Sequence, residues 1–394
     1  MTLKWFISRT ARRALALHKH VWKLLSHQRD ILAPKAVGEV EAAMRELKTA
    51  VASNVDKAAL QKQMDSLEAV ANKWLKPYPQ AFYRENVEML LVALAVAMGI
   101  RTFFLQPFKI PTGSMQPTLY GVTSDNLKNQ PDVQIPTGLS RIKEFVHGVS
   151  YVHEIADEDG TFDRADRPFR ILIFNIKQTY WFAGRAHTIW FPPDYGSETS
   201  GLEYRAGIRS GDFFKKGDDI VKLKVRSGDY LFVDRLTYNF RPPKRGEIVV
   251  FETKGIPEEQ RDRWRIPADQ FYIKRLIGLS GERVQIGDDR HLLIDGHRLD
   301  AATPHFENVY SFVPSQPAMD SHYSGHVNFP QLTPFFQGKR DGVLIPTNNY
   351  MVMGDNTMSS LDSRFWGPFP SSSVIGRYCF VYWPLSSRFG WGNR

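Results

Sequence analysis

The sequence predicts a mainly β globular region that follows an α-helical N-terminal region and one membrane-spanning helix. Three observations carry this. Through the stretch ending at Leu75, apolar residues recur every three or four positions, the period of a helix face. The run Val87 to Leu105, VEMLLVALAVAMGIRTFFL, is close to the ~20 residues needed to cross a bilayer. Beyond it, short β-prone segments alternate with Pro and Gly turns, and 13% of the chain is aromatic, a composition that suits pleated, half-buried surfaces.

The length of 394 residues allows two or three domains, and 42% hydrophobic content is enough for a packed core. A single cysteine, Cys379, excludes any intrachain disulfide. The net charge of +9 raises nucleic acid as a partner, but no RNP, zinc-finger or helix-turn-helix pattern accompanies it. With an apolar run present, a phospholipid membrane is the simpler partner and no nucleic acid is expected.

Residues 1 to 29 contain no acidic side chain, and Leu3, Ile7, Ala14, Leu17, Val21 and Leu24 form a stripe opposite basic residues. Such a helix lies on an anionic membrane surface or packs against its neighbour; an Arg-rich, acid-poor start also fits an organellar transit peptide. From Val37 to Leu75 two further amphipathic stretches run through Val40, Met44, Leu47 and Val51, then Met64, Leu67, Ala71 and Trp74, with Asp56 as N-cap of the second. A helical hairpin or short coiled coil follows. A solvated helical pair preceding the membrane fits it better than a docking device. In the apolar run itself, Glu88 and Arg101 sit near the ends, where each can reach the interface. Lys73, Lys76 and Arg84 outnumber Lys109 on the far side, which keeps residues 1–86 in the cytoplasm and brings Ser114 out on the other face.

Gln106 to Leu119, QPFKIPTGSMQPTL, carries the most informative serine. Pro111 and Pro117 fix φ on either side of Ser114, and Gly113 permits close approach of another chain. Alone, a GSM triplet reads as an ordinary Pro/Gly loop. Residues 120–226 contain the strand-like segments FRILIFNI, TYWFAG and HTIWF; the acidic run Asp157 to Asp159 lacks calcium-loop spacing and reads as a solvated turn. In FYIKRLIGLSGE, from Phe271, Lys274 lies inside an apolar β-prone run. Burial there would lower its pKa and let the neutral amine accept a serine proton. Residues 291–345 are rich in His, Pro, Ser and Phe, and His322 and His326 lack a third ligand, so no metal is expected. A polar turn, GDNTMSSLDSRFWGPFP, starts at Gly354, and the chain closes with a strand from Val374 and an aromatic, basic tail suited to a membrane interface. Neither HExxH nor GxSxG occurs, so zinc peptidase and α/β-hydrolase readings have no support.

Four stretches in order, PTGSMQPTL, GDYLFVDRLTYNFRPPKRGEIVVF, YIKRLIGLSGE and GDN followed by SLDSRFWG, resemble the sequence boxes of type I signal peptidases, membrane-bound Ser/Lys endopeptidases. The resemblance implies the signal-peptidase/LexA-like antiparallel β fold, no cofactor, and cleavage of exported preproteins after small residues, at Ala-x-Ala sites. It places the protein in the inner (plasma) membrane, single-pass, with its catalytic domain on the outer face. It casts Ser114 as nucleophile, Lys274 as general base, Thr112 with the Ser114 amide as oxyanion hole, and Ser360 as the group orienting the lysine. Phe108, Ile110, Pro111, Met115, Leu119 and Ile273 correspond to the small substrate pockets, and Arg275, Asp355, Asp362 and Arg364 to bracing ion pairs. Where the family commonly has a charged pair after GDN, this chain has Thr357 and Met358, which puts part of that bracing in doubt. The expected organisation is cytoplasmic helices over 1–86, a span over 87–105, and a catalytic core from 106–119, 227–290 and 346–385. Insertions at 120–226 and 291–345 interrupt the core, and 386–394 forms the tail. Two other readings stay open: a dedicated Ser/Lys processing peptidase, and an inactive membrane-anchored scaffold.

Overall fold

The computed structural model describes residues 9–53, 55–76, 81–130, 132–171, 174–196, 201–310, 325–328, 333–336 and 342–392. It divides into two compact units, Met1–Val96 and Ala97–Arg394.

In the first unit, helices α1 (Arg9–Gln28), α2 (Pro34–Ala52) and α3 (Lys57–Trp74) share one apolar core. The stripe of α1 turns inward: Ala14, Val21 and Leu25 are buried with Val40, Met44, Leu47 and Leu67. Leu17 and Leu24 are partly buried against them, whereas Leu3 and Ile7 lie outside the described residues. Asp56 caps α3 by accepting the Ala59 N–H at 2.8 Å, which satisfies one of the orphan donors of the first turn. Helix α4 (Ala81–Phe103) is different in kind. From Phe82 to Phe103 it is long and apolar enough to cross a membrane, and none of its most apolar window is buried by protein.

The second unit is mainly β. Its largest sheet is antiparallel, with the strands in the order Leu105–Lys109, Tyr230–Asp234, Val374–Trp383, Ile248–Glu252, Phe271–Gly278, Asn349–Met353 and Phe369–Pro370. Gly390–Trp391 adds a short strand to Val374–Trp383. Three strands separate Leu105–Lys109 from Phe271–Gly278, yet the Phe108 and Phe271 rings meet edge to face at 5.4 Å. The sheet is therefore curled into a half-barrel.

Alternation along Ile248–Glu252 explains how one strand serves two cores. Ile248 and Val250 join Ile110, Met115, Leu119 and Leu231 on one face. Val249 and Phe251 join Leu276, Val352, Trp366 and Phe369 on the other, as a period of two requires. Residues 120–226 form a helix at Gly138–Val146 and two further sheets, one of three strands and one of five. A four-stranded sheet over Arg283–Ile286, Leu292–Ile294, His297–Arg298 and Val343–Leu344 covers the end of the lysine-bearing strand Phe271–Gly278.

Phe251 is fully buried and meets Phe369 at 4.4 Å between ring centres, with Tyr272 and Trp366 within 6.4 Å. Phe251→Ala should cost about 3–5 kcal/mol by leaving a cavity under the lysine-bearing strand. Chemical denaturation checks this; a loss below ~1 kcal/mol would mean that the face collapses around the gap.

Candidate active site

Ser114 sits in a tight loop between the edge strand Leu105–Lys109 and the buried Met115 and Leu119. The Leu119 N–H donates to the Met115 carbonyl at 2.9 Å, closing one helical turn that drives both apolar side chains into the core. Gly121 makes this possible, because a Cβ there would lie 2.1 Å from the carbonyl carbon of Thr112. Two outside contacts fix the loop. Asn356 donates its backbone N–H to the Ser114 carbonyl and its side-chain amide to the Gly113 carbonyl, both at 3.1 Å. Gly354 must be glycine as well, since a Cβ would stand 2.4 Å from the Ser114 carbonyl oxygen.

Lys274 reaches this loop from the strand Phe271–Gly278, 160 residues further along. Its Nζ lies 2.7 Å from Ser114 Oγ. Ser114 is 6% exposed and Lys274 5%. Burial pushes the lysine pKa down from 10.5 to about 8, although the charges of Asp362 and Asp355 pull it upward. Desolvation penalises the ammonium form, so an amine able to take a proton exists near neutral pH. With Lys274 neutral, the same contact becomes a Ser114 O–H donating to nitrogen.

Both carboxylates near the lysine are committed elsewhere. Asp355 accepts from Arg275 Nε at 2.7 Å, Arg275 Nη2 at 2.5 Å and Thr118 Oγ1 at 2.5 Å. Asp362 accepts from Arg364 Nε and Nη2 at 2.9 Å and from the Gly354 N–H at 3.0 Å. All four charged residues are fully buried. For Asp362, burial works to raise the pKa, but the Arg364 charge, its hydrogen bonds and the Gly354 amide outweigh it and hold the carboxyl below its usual range. Paired and fully hydrogen-bonded charges of this kind are costly to bury and costlier to break singly.

The other expected site residues divide. Phe108 and Ile273 are half-buried and Pro111 and Thr112 are exposed, so they retain surface for a substrate, while Ile110, Met115 and Leu119 are core residues beneath the loop. Between Ser360 and Lys274 there is no hydrogen bond among the described residues; the buried Ser360 hydroxyl lies beside Gly354, where a Cβ would stand 2.2 Å from it, and it helps to hold the Asp362 carboxyl below its usual range. His326 pairs its Nδ1 with the Tyr310 hydroxyl at 3.1 Å, and burial lowers its pKa to about 3; His322 lies outside the described residues.

Sequence reasoning missed Thr118, Asn356 and a clamp at the tail. In the clamp the fully buried Asp229 accepts the Tyr120 N–H at 2.8 Å and pairs with Arg388 at 2.8 Å. Asp229 and Asn356 stand inside the recognised GDY and GDN triplets, which was the available signal. Nothing near Arg388 in sequence points to Asp229.

A family model described as signal peptidase, peptidase S26, matches residues 83–125 and 221–383, just over half of the chain. A signal peptidase I of Leptolyngbya laminosa is 32% identical over 158 residues, 40% of this chain and 62% of that protein. A signal peptidase I of Bacillus caldolyticus is 29% identical over 161 residues, covering 41% and 73%. Thylakoidal processing peptidase 1 of Arabidopsis thaliana is 26% identical over 159 residues, covering 40% and 38%. The matched part of this chain thus spans about three fifths of the length of the first relative. Residues 126–220, which contain most of the two extra sheets, fall outside the family match.

A folded lysine pKa of about 8 against 10.5 has a consequence for stability. Between those values the unfolded chain binds more protons, so stability rises with pH through that window; below pH 8 the full penalty is present. Lys274→Met should therefore be more stable than wild type by about 3 kcal/mol at pH 7, the gap closing as pH climbs toward 10.5. Denaturant titrations across pH 6 to ~10.5 check this. A gap that is independent of pH would mean that Lys274 is not held in a desolvated site.

Proposed function

The chain belongs to the signal peptidase family, peptidase S26, and on that premise we propose that it is a membrane-bound serine endopeptidase. It removes signal peptides from exported preproteins after small residues, at Ala-x-Ala sites. The observation that carries the reading is the 2.7 Å contact between the buried Ser114 hydroxyl and a Lys274 amine whose pKa is pushed down to about 8.

The chemistry is acyl transfer. Neutral Lys274 takes the Ser114 proton while Oγ attacks the scissile carbonyl. The Ser114 N–H and the Thr112 hydroxyl hold the oxyanion. Lys274 then gives its proton to the leaving amine, the C–N bond breaks, and an acyl-serine remains. A water that loses its proton to the same amine attacks the ester, and proton return to Oγ releases the new C-terminus. Arg275–Asp355 and Arg364–Asp362 keep the lysine and the loop in register.

Two strand edges support recognition of an extended peptide. Leu105–Lys109 is an edge strand of its sheet, and Phe271–Gly278 pairs with Asn349–Met353 only from Arg275 onward. Open backbone edges on both sides of the serine suit addition of a substrate strand. Phe108 and Ile273, half-buried on these two strands, are the side chains that would line the pockets for small residues. The apolar helix α4 ends two residues before the edge strand. Inserted in the plasma membrane with the N-terminal helices in the cytoplasm, it places the serine near the outer surface, where a signal helix would present its cleavage site.

Cleavage of a preprotein with an Ala-x-Ala site by detergent-solubilised protein tests the proposal. Wild type should cut after the second alanine, and Ser114→Ala and Lys274→Ala should each lose about three orders of magnitude or more. An inert but folded wild type would sink the general signal peptidase reading and leave a dedicated substrate or a scaffold. In the same assay kcat/KM should rise about tenfold per pH unit below the lysine pKa and level off above about 8. A flat profile would remove Lys274 as the base. Leu in place of Ala before the scissile bond should abolish cleavage, since a small pocket excludes bulk firmly.

A further inference from the structure

The two residues that replace the family's charged pair have opposite fates. Met358 is 44% exposed, whereas Thr357 is 1% exposed and lies at a junction. Its Oγ1 accepts the Val327 N–H at 2.8 Å and Arg364 Nη1 at 2.6 Å. Arg364 Nη1 also donates to the Val327 carbonyl at 2.7 Å, so hydroxyl, guanidinium and Val327 backbone form a closed ring. The other nitrogens of Arg364 hold Asp362, which accepts the Gly354 N–H beside the nucleophile loop. Residues 325–328, from the segment between the fourth sheet's strands, are thus built into the bracing of the reacting pair. Arg364 Nη2 donates to the Thr357 carbonyl as well, at 2.9 Å, so its fork is fully used only with the turn in this conformation.

We propose that Thr357 is a positioning residue for Ser114 and Lys274: its hydroxyl ties residues 325–328 to Arg364 and thereby seats Arg364 on Asp362. This rests on the reading of Ser114 and Lys274 as the reacting pair. A hydroxyl does here what a charged side chain could not do without bringing a further charge into a water-free space. The groups that face the lysine are Ser114 from the loop, the Tyr272 ring from its own strand at 5.6 Å, and Asp355, Asp362 and Arg364 from the polar turn. His326, buried nearby with its pKa lowered to about 3, stays neutral and adds no charge. The direction of the effect follows. With Arg364 loosened, Asp362 is less neutralised, and its attraction holds the proton on Lys274 to higher pH.

The test compares wild type, Thr357→Val and Thr357→Ser by two measurements on the full-length protein in detergent. One is the pH profile of kcat and KM for preprotein cleavage. The other is the pH midpoint of Lys274 reductive methylation, read by peptide mass spectrometry. Thr357→Val should lower kcat near pH 7 about tenfold, the size of one lost hydrogen bond to a charged group. KM should be unchanged, both midpoints should move to higher pH, and Thr357→Ser should restore all of these. If Thr357→Val does not fold, Thr357→Cys, which keeps the volume and a weak acceptor, takes its place and should fall between wild type and full loss. Wild-type values of kcat and of both midpoints in the folded variant would overturn the proposal while leaving the peptidase reading intact. If wild type does not cleave the preprotein, the general signal peptidase reading fails, and the methylation midpoint alone decides the role of Thr357.

Discussion

Two carboxylates, Asp355 and Asp362, act on the Lys274 amine, and each is already neutralised by an arginine held against it. Had either been free, it would have stabilised the ammonium and left an ordinary, protonated lysine. Because Arg275 and Arg364 occupy them, desolvation prevails and the pKa falls to about 8. The acids still matter, since they anchor the backbone on both sides of the serine: Asp355 through Thr118, and Asp362 through Gly354. The same pairs that would seem to crowd the site with charge thus keep charge away from one nitrogen.

That arrangement needs a frame that does not give. The lysine comes from a strand with apolar packing on both faces of its neighbour Ile248–Glu252, and the serine from a turn whose Met115 and Leu119 are sunk in the same half-barrel. Well-packed cores resist small displacements, which keeps a 2.7 Å contact between groups from distant parts of the chain. On the other side, Asp229 joins the Tyr120 backbone to Arg388, so the exit of the serine loop is held as firmly as its entry.

Much of this was legible in the sequence where chemistry is local. A serine between prolines, a lysine in an apolar β run and a polar turn around Gly354 and Asp355 announce themselves by residue type and spacing, and the structure brings the three stretches together. What was not legible depends on contacts between distant residues. The partners of Thr118 and Asn356 are 237 and 243 residues away, and no period or propensity encodes such a pairing. The amphipathic stripe of residue 14 onward fitted either a bilayer or a neighbouring helix; packing of Ala14, Val21 and Leu25 against α2 and α3 uses it inside the bundle. The Ser360 hydroxyl lies beside the glycine of the same turn and makes no bond to Lys274 among the described residues, a detail of side-chain direction that a motif does not specify.

The sheet order also sets the sequence of events in making this protein. Val374–Trp383 lies between Tyr230–Asp234, which carries the serine side of the half-barrel, and Ile248–Glu252, which carries the lysine side. Those two strands are translated first, and neither bonds to the other. Pairings this distant in sequence form late and slowly. During synthesis the nascent polypeptide therefore holds Ser114 and Lys274 on halves that no backbone ladder joins, and the two come to lie on one continuous sheet only when Val374–Trp383 slots into the gap.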